Sequence, residues 1–251
     1  MSEILNEAEK NEVPAELTHG DKELEEMFMA GLQFGYYRRN RQPKMAEYIY
    51  GIKNNIEIFD LEKTREALRT AQDFLKKVGE GKKNVLWVGT KPSARGFIEK
   101  VAMALGHSYV SGRWVGGSLT NSKIIRDRIK YFEDLKKKKE TGDLEKYTKK
   151  ERLKLNREIK ALDEKFSGIE NLRNDLEVIV MVDPKEEKTA FSEARRVSVP
   201  IVAILSSDND PTSVAYPIPA NDSAPSSISY ILEKLADAYR EGADIANQKN
   251  V

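Results

Sequence analysis

Not one of the 251 residues is a cysteine, so no disulfide, thiolate nucleophile, zinc ribbon or iron–sulfur site can be built from this chain. Histidine is nearly as scarce. His19 and His107 lie in unrelated settings with no partner at motif spacing, so neither histidine-dependent acid–base chemistry nor an imidazole metal site is expected. Apolar runs of membrane-spanning length are missing, and the opening Met1-Ser2-Glu3-Ile4-Leu5-Asn6-Glu7 is acidic where a signal peptide is basic. The expectation is a cytoplasmic chain with no membrane partner. Glycine-rich phosphate loops are also lacking. Val88-Gly89-Thr90-Lys91 ends a strand and precedes a helix, yet it has neither the first glycine nor the four-residue gap of a P-loop, and no G-x-G-x-x-G occurs. Asp208 and Asp210 beside Pro211 read as a turn, not as a cation site. No cofactor, no metal, no small-molecule substrate and no catalytic residue are therefore expected.

Charge is abundant but almost balanced, with 42 Lys and Arg against 41 Asp and Glu. The balance hides an asymmetry. Residues 1–26 hold 2 basic and 9 acidic side chains, residues 27–170 hold 32 and 19, and residues 171–251 hold 8 and 13. A middle of net +13 between acidic ends suits one-sided contact with a polyanion. Solvated helix faces would account for the same charges.

Residues 1–17 are acidic and aperiodic and read as a flexible leader. Thr18 and Asp21 have capping-box spacing, and Leu24, Met27, Phe28 and Leu32 follow at helical spacing. Short β-branched runs then alternate with helical patterns: strand 56–59, helix 61–78, strand 85–88, helix 93–105, and a brief strand at 109–110. The order resumes with strand 178–182, helix 185–197, strand 201–205 and a helix from Pro225 to about Glu241. Strands that are apolar throughout and joined by helices predict an α/β fold of doubly wound, Rossmann or flavodoxin-like type, with a mainly parallel sheet of about five strands. The core would comprise residues 18–119 and 172–242, followed by a tail at 243–251. Between its halves, residues 120–171 lack any strand pattern. Ile125, Ile129 and Phe132, then Leu155, Ile159, Leu162 and Phe166, repeat at three and four residues on either side of Thr141-Gly142-Asp143. That spacing predicts an inserted antiparallel helical hairpin, a coiled coil about 30 Å long.

The most informative stretch is aperiodic. Tyr36, Tyr37, Arg38, Arg39, Arg41 and Lys44 interleave rings with planar cations, a combination suited to RNA phosphates and unstacked bases. A loop packed on its own domain would use the same residues. Lys91, Arg113 and Trp114, with Lys123 and Arg126 on the first limb of the hairpin, extend the positive block; a solvated helix face is the alternative there.

Six strings occur in one order. They are Gln33-Phe34-Gly35, Pro43-Lys44-Met45-Ala46-Glu47-Tyr48-Ile49-Tyr50-Gly51, Asp60-Leu61-Glu62-Lys63-Thr64, Val88-Gly89-Thr90-Lys91, Arg113-Trp114-Val115-Gly116-Gly117-Ser118-Leu119-Thr120-Asn121 and Ile218-Pro219-Ala220-Asn221-Asp222. Over about residues 24–242 the chain thereby resembles the bacterial S-two family of small-subunit ribosomal proteins, the Arg113–Asn121 string most specifically. The resemblance implies a non-catalytic constituent of the small ribosomal subunit that binds its rRNA and neighbouring ribosomal proteins, with a larger mRNA-binding protein as a further partner. Departures occur where the family usually has His-Phe-Gly-His and this chain has Gln33-Phe34-Gly35-Tyr36, where Arg39-Asn40-Arg41-Gln42 replaces Arg-Arg-Trp-Asn, and at Lys188, where histidine is common. A histidine-held metal is therefore not carried over.

Overall fold

The computed structural model describes residues 21–172 and 176–249. The expected leader, the Thr18 half of the capping pattern and the last two residues lie outside that range. Asp21 caps α1 (Lys22–Met29) by accepting from the Glu23 N–H.

Five parallel strands form the main sheet: β4 (Asn84–Val88), β5 (Ser108–Val110), β6 (Leu176–Val182), β7 (Ile201–Leu205) and β8 (Tyr216–Pro219), in the order β5-β4-β6-β7-β8. Their alternating side chains divide between two cores, as the pleat requires. Val85, Trp87, Val178, Val180, Val202 and Ile204 join the helices α2 (Leu61–Glu80), α3 (Pro92–Leu105) and α7 (Pro225–Lys249) on one face. Leu86, Val88, Ile179, Met181, Ala203 and Leu205 join α4 (Ser122–Glu140), α6 (Lys188–Arg196) and Phe166 of α5 (Lys149–Phe166) on the other. Because both faces are covered, each strand reads as a continuous apolar run, which is why three of the five were visible in the sequence at nearly full length.

Two strand assignments needed correction. Residues 56–59 are not in the parallel sheet. They form β3 (Ile56–Phe59) of a separate antiparallel sheet with β1 (Phe34–Tyr37) and β2 (Ile49–Lys53), in the order β1-β3-β2. Lys53 pairs with Ile56 across Asn54 and Asn55, whose φ values of 51° and 63° make the two-residue type I′ turn that suits the strand twist. The fifth parallel strand is β8, whose Pro217 and Pro219 conceal it in the sequence and are tolerated because it lies at the sheet edge.

On α4, Ile125, Ile129, Phe132 and Leu135 are buried in the same cluster as the second sheet face, while on α5 only Ile159 and Phe166 are buried. Polar contacts between the helices include Tyr131 donating to Glu158 at 3.0 Å and Lys136 reaching Asp163 at 3.6 Å. The apolar seam of α4 thus serves the core of the domain as well as its partner helix.

Helices α2 and α7 approach closely where Gly79 faces the Tyr239 carbonyl and Gly242 faces the Lys76 carbonyl. A Cβ at Gly242 would overlap that carbonyl, so the helices would have to separate. Gly242→Ala is expected to cost about 2–3 kcal/mol. Gly96→Ala in α3 has open space, with nothing within 4 Å, and should be neutral or stabilising by up to about 1 kcal/mol. Urea unfolding of the two variants checks the contrast; equal midpoints would refute the close-packing account.

Candidate nucleic-acid interface

In this strand order the sheet reverses direction of winding between β4 and β6, and the crevice beyond their carboxyl ends is where α/β folds receive ligands. Here the crevice is filled from within. Lys91, which ends the turn after β4, places Nζ 2.5 Å from Asp183 after β6 and 2.9 Å from Asp222 after β8. The Tyr36 hydroxyl lies 3.4 Å from the same ammonium. Burial disfavours the Lys91 charge, but the Asp222 and Asp183 carboxylates overcome it and raise its pKa well above the ordinary value. Asp183 is held below the usual range despite its burial, because Lys91, Asn209 and the Lys185 N–H all bond to its charged form. Asp222, with no exposed surface, is pushed up to about 6 by burial even though Lys91 pulls the other way. One ammonium serves two carboxylates, and Asp183 has the shorter contact.

A third buried carboxylate closes the adjoining turn. Glu187 accepts from the Thr90 N–H at 2.5 Å, and burial pushes its pKa up. The backbone donor that a phosphate would need is therefore already engaged by an acid, which would repel an anion from this turn.

The small sheet is docked over this end of the fold. Tyr36 N–H donates to Ser207 Oγ at 2.9 Å, and Gln42 N–H to the Ser207 carbonyl at 2.9 Å. A Cβ at Gly35 would lie 3.0 Å from Ser207 Oγ and 3.2 Å from the Glu57 carbonyl, so a side chain there would make the strand's approach tight. Asn221 ties the entry to β1 by donating to the carbonyls of Leu32 and Gly31. Arg41 stands 3.3 Å from buried Glu57, and Lys44 bridges to Asp210 at 2.9 Å and Thr212 at 2.8 Å. What remains pointing outward is Tyr37, Arg38 and Arg39, all exposed, with the Arg39 guanidinium 5.7 Å from the Tyr37 ring centre. These three and Asn55 line a shallow open cleft.

A second basic region surrounds the start of α4. Arg113, Lys123 and Arg126 are exposed. Trp114 is not: its Nε1–H donates at 3.0 Å to Glu193 of α6, a carboxylate 7% exposed. The same carboxylate accepts from the backbone N–H groups of Gly117 (2.7 Å), Leu119 (3.0 Å) and Thr120 (3.2 Å) and from the Thr120 hydroxyl (3.2 Å). Gly117 turns the chain at φ 91°, a conformation that favours glycine, and so aims the following amides at one point.

Lys91 and Trp114 are each held by carboxylates of the protein and do not extend freely into solvent. Tyr36 is half-buried and Arg41 is partly committed to Glu57. Of the acids in these contacts, Glu57, Asp183, Glu187 and Glu193 carried no motif at their own positions, while Asp222 ends the Ile218–Asp222 string; their partners lie far along the chain. For Asp183 the available signal was its place directly after the apolar strand β6. His107 has a structural role: Trp87 Nε1–H donates to its Nδ1 at 3.2 Å, and burial pushes its pKa down to about 4, so it is neutral.

The fold and this end of it define an α/β scaffold whose ligand crevice is plugged by its own side chains and whose exposed cations and rings lie beside it. Residues 27–242 match the family model described as Ribosomal protein S2. The small ribosomal subunit protein uS2c of Cyanophora paradoxa is 40% identical over 220 residues, covering 88% of this chain and 94% of that protein. The uS2 proteins of Dictyoglomus thermophilum and Coprothermobacter proteolyticus are each 40% identical, covering 90% and 88% of this chain and 92% and 82% of their own lengths. The chain belongs to the ribosomal protein S2 family.

Proposed function

We propose that this protein is a non-catalytic structural constituent of the small ribosomal subunit that holds rRNA through two basic regions. One is the cleft of Tyr37, Arg38 and Arg39; the other is formed by Arg113, Lys123 and Arg126. The observation that carries the reading is the outward arginine–tyrosine pair beside an internally filled crevice, in a chain of this family. Planar guanidinium groups beside a ring suit phosphates and unstacked bases. Lys91, Trp114, Tyr36 and Arg41 support this surface from beneath, and Lys44 is shared with Asp210. The setting is the ribosome of the translating compartment.

Helices α4 and α5 form, in this reading, a helical pair inserted between β5 and β6 whose outer face meets neighbouring ribosomal proteins, a larger mRNA-binding one among them. Ile124, Tyr147 and Leu153 are exposed large apolar side chains on this pair and the turn between its helices. Peptides of a neighbouring protein crosslinked to that face would support the reading, and adducts to RNA alone would refute it.

Gradient sedimentation of tagged protein tests the main assignment, which requires comigration with small subunits. Protein that stays at the top while other small-subunit proteins sediment would defeat it. Within the interface, Arg38→Ala and Arg39→Ala should each reduce the salt slope of RNA binding by about one unit with little change of sequence preference. A loss confined to one RNA sequence would contradict a phosphate role.

A further inference from the structure

The outer face of the three-stranded sheet presents an apolar surface that the fold leaves open. Phe34 and Gly51 both pair with Ile58, and Tyr37 and Lys53 both pair with Ile56. Directly opposed residues of an antiparallel pair point to the same side, so these six positions share one face. On the opposite face Glu57 and Phe59, the alternate residues of β3, are buried, although Ile52 of β2, which pairs with Glu57, is 44% exposed. On the outer face Phe34 is 40% and Tyr37 52% exposed. Gly51, across Ile58 from Phe34 on β2, adds no side chain to this face, and a Cβ there would meet nothing within 4 Å.

The rim of this surface is positive. Arg38, Arg39 and Lys53 are exposed around it, while the one carboxylate of the three strands, Glu57, faces the interior. Flat rings on a strand platform with cations beside them match an unpaired nucleotide, whose base can stack while its phosphates meet the cations. Duplex RNA would offer the phosphates without a free base. An apolar protein surface would not need three cations and no acid. Resting on the assignment above as an rRNA-binding protein, we propose that the face of Phe34, Tyr37, Gly51 and Ile58 is a stacking platform for one or two unpaired bases of RNA.

The test uses the full-length chain with a twelve-nucleotide unstructured RNA carrying 2-aminopurine and, separately, a twelve-base-pair RNA duplex. Stacking one base contributes enough that Tyr37→Ala should weaken the single strand about 5- to 150-fold. Duplex affinity should fall far less than single-strand affinity, because Arg38 and Arg39, which carry the phosphate contacts, are retained. Tyr37→Trp should restore binding and the 2-aminopurine quenching, which a merely structural tyrosine would not explain. Phe34→Ala/Tyr37→Ala should deepen the loss, and both residues are exposed enough that neither substitution opens the core. Unchanged single-strand affinity in the double variant would overturn the proposal, as would an equal loss on duplex, or a wild type that does not bind the single strand. Loss of a neighbouring protein from purified small subunits at unchanged RNA affinity would instead give this face to protein contact. Wild-type cosedimentation with small subunits separates the two levels: with it, a negative result removes the platform alone; without it, the ribosomal assignment falls too.

Discussion

Replacing Lys91 with methionine is expected to remove about 3–5 kcal/mol of stability at neutral pH. The ammonium is the shared counterion of Asp183 and Asp222, at 2.5 and 2.9 Å, and both carboxylates are buried. A methionine keeps the length of the side chain but leaves two acids facing each other without a cation. Two results would distinguish this from simple loss of packing. Adding Asp183→Asn and Asp222→Asn to Lys91→Met should recover most of the loss, because neutral amides need no counterion. The single variant should also gain stability as the pH falls from 7 to 5. Without Lys91 both folded-state pKa values would lie above their unfolded values, so the folded protein would bind the protons and acid would stabilise it. A Lys91→Met protein that melts with the wild type at pH 7 would contradict the account. Because Tyr36 leans on the same ammonium, the β1 segment should also become more susceptible to proteolysis.

Glu193→Leu should cost a similar amount, about 3–5 kcal/mol, through a different physical route. Here a buried acceptor is lost and its donors are orphaned. Trp114 Nε1–H, the N–H groups of Gly117, Leu119 and Thr120, and the Thr120 hydroxyl would all lose their partner. Each donor left unpaired costs about 1–3 kcal/mol when water cannot replace the acceptor. The loop is partly exposed, so water should satisfy some of them and the total falls below the sum. Glu193→Gln retains one acceptor oxygen and should lie between. Burial raises the pKa of Glu193, but the bonds from Trp114, Gly117, Leu119 and Thr120 outweigh it and hold the carboxyl below its ordinary 4.5. For an acid with a lowered folded pKa, the stabilisation is complete above the unfolded value and is lost as pH falls through the folded one. Wild-type stability should therefore fall more steeply below pH 4.5 than that of Glu193→Gln. Parallel acid-unfolding curves would show that the charge of Glu193 is not what organises the loop.

These two clusters explain which parts of the molecule were legible in the sequence. Strands β4, β6 and β7 are apolar on both sides and announce themselves; α2 declares its start at Asp60, which accepts from the Glu62 N–H at 3.1 Å. Strand β8 was hidden by Pro217 and Pro219, and β3 has the composition of a parallel strand although Lys53-Asn54-Asn55-Ile56 places it in a hairpin. The basic residues of the interface were visible because they are local in sequence. Their sorting into outward and inward groups was not, because it depends on acids 79 residues from Trp114 and 131 residues from Lys91. The conspicuous strings converge in space: Tyr36 follows Gln33-Phe34-Gly35, Lys91 ends Val88-Gly89-Thr90-Lys91, Asp222 ends Ile218-Pro219-Ala220-Asn221-Asp222, and all three meet at one ammonium. Much of what made the family recognisable is the framework beneath the proposed interface, which leaves Tyr37, Arg38 and Arg39 exposed beside it.

Crosslinking of the tagged full-length protein in cells, followed by sequencing of the attached RNA and peptide mapping of the attachment points, tests the central claim most directly. The account predicts small-subunit rRNA joined within residues 34–53 and 113–130, with Tyr37, Arg38 and Arg39 among the attached positions and Lys91 and Trp114 absent. No enrichment of rRNA would contradict the ribosomal assignment, and rRNA attached only outside those two segments would contradict the face assigned to it.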